Sequence, residues 1–332
     1  MFLLGLLPVL LFLAGLVFLD SYRLVTMRAV VRTILAGCVA AACAALANTF
    51  LVLTFSLDMT HYSWYIAPLI EELLKAAYLI YLLRSNKIGF MVDAAIRGFA
   101  IGTGFALVEN VFYMILHPEG SLFLWVIRGF GTAIMHGATT AIVGITAKNL
   151  LDRKATSGII ALLPGLAGAI VIHMLYNHFF ISPSLSTFVI LIVLPVLLVV
   201  VFRQSEKSTQ DWLGVGFDTD RELLEMLTTG NLADTKIGMY LQSLQSAFRG
   251  EILADMLCFL RIHLELAISA KGILLMREAG FNVNPDQEIR DKFQELKYLE
   301  RSLGKTGKLA IHPFLHTSNK DLWQLHMLGG KH

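Results

Sequence analysis

A small set of ionisable and amide side chains stands in stretches that are otherwise strongly apolar: Glu71, Glu72, Lys75, Glu109, Asn110, Arg128, His136, His173, Asn177 and His178. Charged groups in such surroundings are costly and normally face a packed interior or a watery cavity. Lys75 follows Glu71 by four residues and Glu72 by three, so on a helix its ammonium reaches either carboxylate. The two glutamates differ by about 100° around that helix, which gives them different neighbours and different tasks. Phe105 and Glu109 share a helix face, as do His173 and Asn177. Amide hydrolysis needs a base for water, donors for a tetrahedral oxyanion and an acid for the leaving amine, and this set contains all three.

The residues suggest roles. Glu71 or Glu72, oriented by Lys75, is the expected general base, with Glu109 assisting. His173 and Asn177 are expected to stabilise the oxyanion, and His136 to complete the site. A zinc-dependent version is equally compatible, with Glu109, His136 and His173 as ligands, an open position for water and a glutamate as base. Other hydrolase designs are missing: the chain has no Gly-x-Ser-x-Gly, no His-Glu-x-x-His and no pair of aspartates inside an apolar run. A purely structural ion pair is the competing reading of Glu71, Glu72 and Lys75, but buried pairs stabilise poorly compared with apolar packing. Arg128 reads equally as a counter-ion or a substrate contact, and Asn110 and His178 as supporting residues.

The elements that carry these residues follow from composition. The chain has 332 residues, 56% hydrophobic and 16% charged. Residues 1–202 hold 11 Lys or Arg and 8 Asp or Glu, against 16 and 17 in the shorter remainder. The apolar excess is therefore local, and predicts a membrane domain over 1–202 and an ordinary helical domain over 203–332. About 20 apolar residues cross a bilayer. Seven spans are expected: 2–19, 34–56, 63–83, 94–116, 121–147, 157–181 and 187–202. The fold class is thus all-α, a polytopic bundle of about seven transmembrane helices with a C-terminal helical cytoplasmic domain.

Orientation follows from the basic loops. Arg23, Arg28 and Arg32 follow span one; Arg84, Lys87 and Arg97 surround the next such loop; Lys148, Arg153 and Lys154 follow span five. The alternate loops around Asp58, Glu119 and Pro183 have no Lys or Arg. The N-terminus is expected outside and the C-terminus in the cytoplasm. On that topology Glu71, Glu109, Arg128 and His173 fall in one outer-half layer, Glu71 roughly 12 Å below the outer end of its span, with His136 nearer the midplane. Gly98, Gly102 and Gly104, and Gly129, Gly131 and Gly137, thin two of the spans for close packing. Trp64, Tyr65 and Trp125 read as interfacial belt residues.

Beyond 202, a helix capped by Asp218 or Asp220 and ending at Gly230 is expected, then one from about Gly250 to Glu278 stopped by Gly280. Pro285–Arg301 and Asn319–Leu328 read as two more. His263, His312 and His316 form no catalytic constellation. A net charge of +2 without a basic cluster excludes a nucleic-acid partner, and Cys38, Cys43 and Cys258 support neither a zinc ribbon nor a disulfide framework.

Four segments on successive spans carry a resemblance. Glu71-Glu72-Leu-Leu-Lys75 resembles a Glu-Glu-x-x-Lys motif, and Phe105-Ala-Leu-Val-Glu109 a Phe-x-x-x-Glu motif. His136 stands where a third, histidine-bearing motif is expected, and His173-Met-Leu-Tyr-Asn177 resembles a closing His-x-x-x-Asn/Asp motif. Together they are similar to the PrsW family of intramembrane proteases, distant relatives of the CAAX prenyl endopeptidases. The resemblance covers about residues 60–180 and implies cleavage of a membrane-anchored anti-sigma factor, or a similar single-span protein, on the extracytoplasmic side. It implies a bacterial cell membrane, with the lipid bilayer and that substrate as partners. Residues 203–332 have no counterpart in the resemblance; a homo-oligomer or a cytoplasmic partner is their expected use. A transporter or non-catalytic scaffold with a polar Glu/Lys/His cavity is the alternative.

Overall fold

The computed structural model describes residues 1–153, 158–178, 180–229, 236–315 and 319–329. Lys154, Gly230 and His316 lie outside these. Among the described residues the chain is helical, without a strand. It divides into two units, Met1–Glu206 and Lys207–Lys331.

The first unit contains α1 (Phe2–Phe18), α2 (Met27–Phe55), α3 (Ala67–Arg84), α4 (Met91–Leu116), α5 (Ala133–Asp152), α6 (Leu163–His178) and the start of α7 (Pro183–Thr228). Thr26 caps α2, its Oγ1 accepting from Ala29 N at 3.3 Å, which satisfies one of the donors orphaned at a helix start. Among the described residues, five segments are long and apolar enough to cross a membrane: Met27–Phe55, Met91–Leu116, Leu122–Asp152, Gly158–His178 and Pro183–Thr228. The other two expected spans form helices but fall short of that standard. α1 has 17 residues, about 26 Å against a hydrocarbon core of about 30 Å. α3 has 18, and Glu71, Glu72, Lys75 and Arg84 dilute its apolar character. The residues that carry the chemistry are the ones that weaken its membrane signal.

Among the described residues, two π-helical segments interrupt the regular pattern. Tyr62–Ile66 leads into α3, and Ile127–Thr132, after a short turn of helix at Leu122–Val126, leads into α5. Single π turns within α-helices concentrate at functional sites. Trp125 does not sit at a lipid interface as expected: it is fully buried, with Nε1 donating to the Gly120 carbonyl at 3.2 Å. A partner for the indole N–H inside the fold removes the reason to face headgroups.

α4 is the central element, buried on all sides from Met91 to Ala106. Glycine makes this possible. A Cβ at Gly102 would meet the His136 carbonyl on α5, and one at Gly104 the Ile34 carbonyl on α2. Close backbone approach of this kind is how helices associate where lipid removes the hydrophobic drive. Leu79, Leu82, Ile88, Ala94, Ile101, Val143, Ala147, Leu162 and Ala169 fill the interior where α3, α4, α5 and α6 pack.

The second unit holds the end of α7 with α8 (Lys236–Ser243), α9 (Gly250–Glu278), α10 (Gln287–Ile311) and α11 (Asn319–Gly329). Its core gathers Met256, Phe259, Leu260, Leu266 and Ile273 from α9 with Leu296, Leu299, Leu303 and Ile311 from α10. Asp218 and Asp220 do not cap a helix; both lie inside α7, and Asp220 is buried in an ion pair with Lys271. With no proline after Pro195, nothing in that stretch stops the helix. Gly280 ends α9 at φ +92°, as its position predicts. Gly304, at φ 61° and ψ −168°, interrupts α10 and divides it into two helices, so the charged helix stops there as expected.

Candidate active site

α3 presents Glu72 and Lys75 to the interior, 1% and 0% exposed. Glu72 Oε1 accepts from three donors: Lys75 Nζ at 2.6 Å, His173 Nδ1 at 2.8 Å and Thr139 Oγ1 at 3.2 Å. Its other oxygen, Oε2, is buried with no hydrogen-bond partner. Glu71, one residue earlier and therefore turned away, is partly exposed. Its Oε1 accepts from Asn48 Nδ2 at 3.4 Å, and its Oε2 lies 3.8 Å from His173 Nε2. Tyr62, on the first π segment, donates to Asn48 Oδ1 at 2.8 Å and so holds the amide that faces Glu71.

α4 supplies Glu109, whose two oxygens are divided. Oε1 accepts from Arg128 Nη2 at 3.0 Å and Oε2 meets His136 Nε2 at 2.6 Å. α5 supplies His136, 1% exposed, whose Nδ1 is 3.2 Å from Lys75 Nζ. A charged lysine can only donate, so Nδ1 accepts and Nε2 carries the proton given to Glu109. His173 shows the complementary state: Nδ1 donates to the Glu72 carboxylate, which leaves Nε2 bare and facing Glu71. The two imidazole rings stand edge to face, 4.9 Å apart. Phe105 closes the apolar side, its ring 5.0 Å from both the Lys75 ammonium and the His136 ring.

Six of the seven sequence-predicted residues therefore meet in one network: Glu71, Glu72, Lys75, Glu109, His136 and His173. Asn177 does not join it by its amide nitrogen; Nδ2 donates to the Ser63 carbonyl at 3.0 Å and ties α6 to the first π segment. A π turn leaves carbonyls without their usual i+4 partner, which gives the amide this task. Asn48, Tyr62 and Thr139 are part of the network without having been anticipated. Asn48 left a signal, as the amide in an otherwise apolar stretch of α2. Thr139 left none, because threonine is ordinary in a packed membrane helix.

Among the described residues, Glu71, His136 and His173 form the group that could hold a metal ion, with ligand atoms within 4.8 Å of one another. This keeps both expected histidines and takes Glu71 where Glu109 was expected. The donor chemistry fits: one carboxylate and two imidazoles is a known catalytic zinc set. The bare Nε2 of His173, with a carboxylate on its Nδ1, is the arrangement that orients a metal-binding histidine. Both nitrogens of His136 already have protein partners, so an ion taking either displaces one.

The apolar helices and the buried carboxylate–histidine network have the make-up of a membrane-embedded hydrolase. Residues 26–202, more than half of the chain, match the family model of the PrsW family intramembrane metalloproteases, and the chain belongs to that family. No curated protein and no solved structure matches it. It is a membrane protein and an intramembrane protease, a peptide hydrolase that acts on a membrane protein within the bilayer. The transporter or scaffold alternative falls with this membership.

Proposed function

We propose that the protein cuts a single-span, anti-sigma-factor-like membrane protein near the extracytoplasmic side of a bacterial cell membrane, using a glutamate-activated water. The observation that carries this is the orphaned Glu72 Oε2, a buried carboxylate oxygen without a partner beside a fully used Oε1. Burying an acceptor unsatisfied is costly, and a catalytic water would supply the missing hydrogen bond. Glu72 Oε2 takes that water's proton. Lys75, Thr139 and His173 hold the carboxylate still while it does so, and Glu109 assists through His136. In a metal-free site His173 is the oxyanion donor, whereas with a metal bound it would be a ligand instead; Asn177 contributes by fixing the chain that enters α3.

Charge balance supports a metal in the remaining position. Lys75 is matched to Glu72 and Arg128 to Glu109, whereas the partners of Glu71 are an amide and a histidine. Glu71, His136 and His173 would hold a zinc ion, which supplies Lewis acidity to the scissile carbonyl and lowers the pKa of bound water. The N-terminus lies outside and the C-terminus in the cytoplasm, and residues 203–332 serve assembly or a cytoplasmic partner.

The test is a Glu72→Gln chain expressed at native level. Single-span membrane proteins are expected to accumulate uncut, and the purified variant to lose at least about 100-fold in kcat at unchanged membrane abundance. Wild-type cleavage by both Glu72→Gln and Glu109→Gln would overturn the assignment.

A further inference from the structure

Arg128 lies on the π segment Ile127–Thr132 and is almost fully buried. Its guanidinium is held at two nitrogens and on one face. Nη2 donates to Glu109 Oε1 at 3.0 Å, Nε donates to Asn110 Oδ1 at 2.9 Å, and Cζ stands 3.6 Å over the Tyr113 ring. Asn110 is itself fixed, donating Nδ2 to the Gly5 carbonyl of α1 at 2.7 Å and to the Arg128 carbonyl at 3.5 Å. The far oxygen of Glu109 meets His136 Nε2. A continuous chain of contacts thus runs from Gly5 through Asn110, Arg128 and Glu109 to His136.

We propose that Arg128 is a positioning residue: it locks the Glu109 carboxylate, and through it the orientation and tautomer of His136. This rests on the reading of Glu109 and His136 as part of the catalytic site. The argument is geometric. A lone carboxylate turns freely about its last torsion, and a guanidinium bonded to one oxygen while held at its own Nε and face stops that rotation. Glu109 Oε2 then stays where only an Nε2–H tautomer of His136 satisfies it, and Nδ1 is left as the acceptor, facing Lys75 here and available to the ion that His136 would hold. The π segment is what allows this. Residues 128 and 136 would differ by about 80° on a regular α-helix, and the wider π turn winds less per residue and brings them towards one face.

The N-terminal helix enters the same device. α1 precedes the segment that matches the family, yet its Gly5 carbonyl anchors Asn110, and a Cβ at Gly129 would meet the Leu4 carbonyl. α1 therefore presses against the π segment that carries Arg128.

The experiment uses the full chain in lipid nanodiscs with a single-span substrate. Arg128→Met is expected to lower kcat about 100-fold with KM within about twofold, the size of effect that misplacing a reacting group produces. Arg128→Lys recovers part of the loss, and Asn110→Leu falls between wild type and Arg128→Met; both also serve if Arg128→Met does not fold. The readout beyond activity is melting temperature. Arg128→Met strands the Glu109 charge, so the double variant with Glu109→Gln is expected to melt no lower than Arg128→Met alone. Wild-type kcat in folded Arg128→Met, a rise in KM alone, or melting losses that simply add would each overturn the proposal. Full activity of Glu109→Gln would instead sink the reading of the site, and any catalytic role of Arg128 with it, even where the melting temperatures remain coupled.

Discussion

Glu71 and Glu72 are chemically identical and adjacent, and their surroundings separate them. The turn of about 100° between them sends Glu72 into the interior, onto three donors, and leaves Glu71 at the edge beside Asn48 and the bare nitrogen of His173. A carboxylate so heavily donated to is held rigidly as an anion acceptor, whereas one facing an amide and an imidazole is free to meet a cation. Metal binding is therefore expected to follow Glu71 and not Glu72. Purified protein should carry about one equivalent of zinc by elemental analysis, lost in Glu71→Ala and His173→Ala and kept in Glu72→Gln. Undiminished activity of metal-stripped protein in chelator would return the site to a metal-free glutamate mechanism. At this scale the spacing of Glu71, Glu72 and Lys75 could be read directly, because i, i+3 and i+4 contacts are local. The contacts of Asn48 and Thr139 could not, since each reaches a residue on another helix.

The helices act through their interruptions as much as through their regular parts. Sequence patterns assume 3.6 residues per turn, so neither π segment was visible, and both change the direction in which a site helix presents its residues. The glycines were visible and their partners were not. Gly102 faces the His136 carbonyl itself, so α4 and α5 can approach only while that position lacks a side chain. Gly102→Ala is expected to destabilise by about 1–3 kcal/mol through overpacking and to lower kcat by shifting His136. Gly168, with open space where its Cβ would stand, is the control: Gly168→Ala should be neutral or stabilise by up to about 1 kcal/mol. Thermal melting with a cleavage assay checks both, and equal behaviour of the two variants would remove His136 packing from the account.

On the scale of the whole chain, the family match ends at residue 202 and the division into units falls at Glu206. The second unit has its own core and a buried Lys271–Asp220 ion pair, and belongs to no part of the matched segment. The proposed orientation places it in the cytoplasm, and Cys258, exposed on α9, reports on this. In a Cys38→Ala/Cys43→Ala background, a membrane-impermeant maleimide should label Cys258 only after cells are permeabilised. Labelling of intact cells would invert the topology, and with it the side on which the substrate is cut.

Much of this protein follows from local rules. The split between an apolar and an ordinary half, the helical character of both, and the four motifs depend on composition and short spacings, which any stretch of chain expresses alone. The two shortfalls among the expected spans have a local cause as well, a 17-residue length in α1 and the charges of α3. What required the folded molecule was the pairing of groups far apart in sequence. Which glutamate sits beside the two histidines, which carboxylate oxygen is left without a partner, and how Arg128 reaches Glu109 and Asn110 each depend on distances between helices that meet over tens of residues. Close packing sets those distances, and it acts through the mutual fit of whole helix faces, so no single segment contains the information.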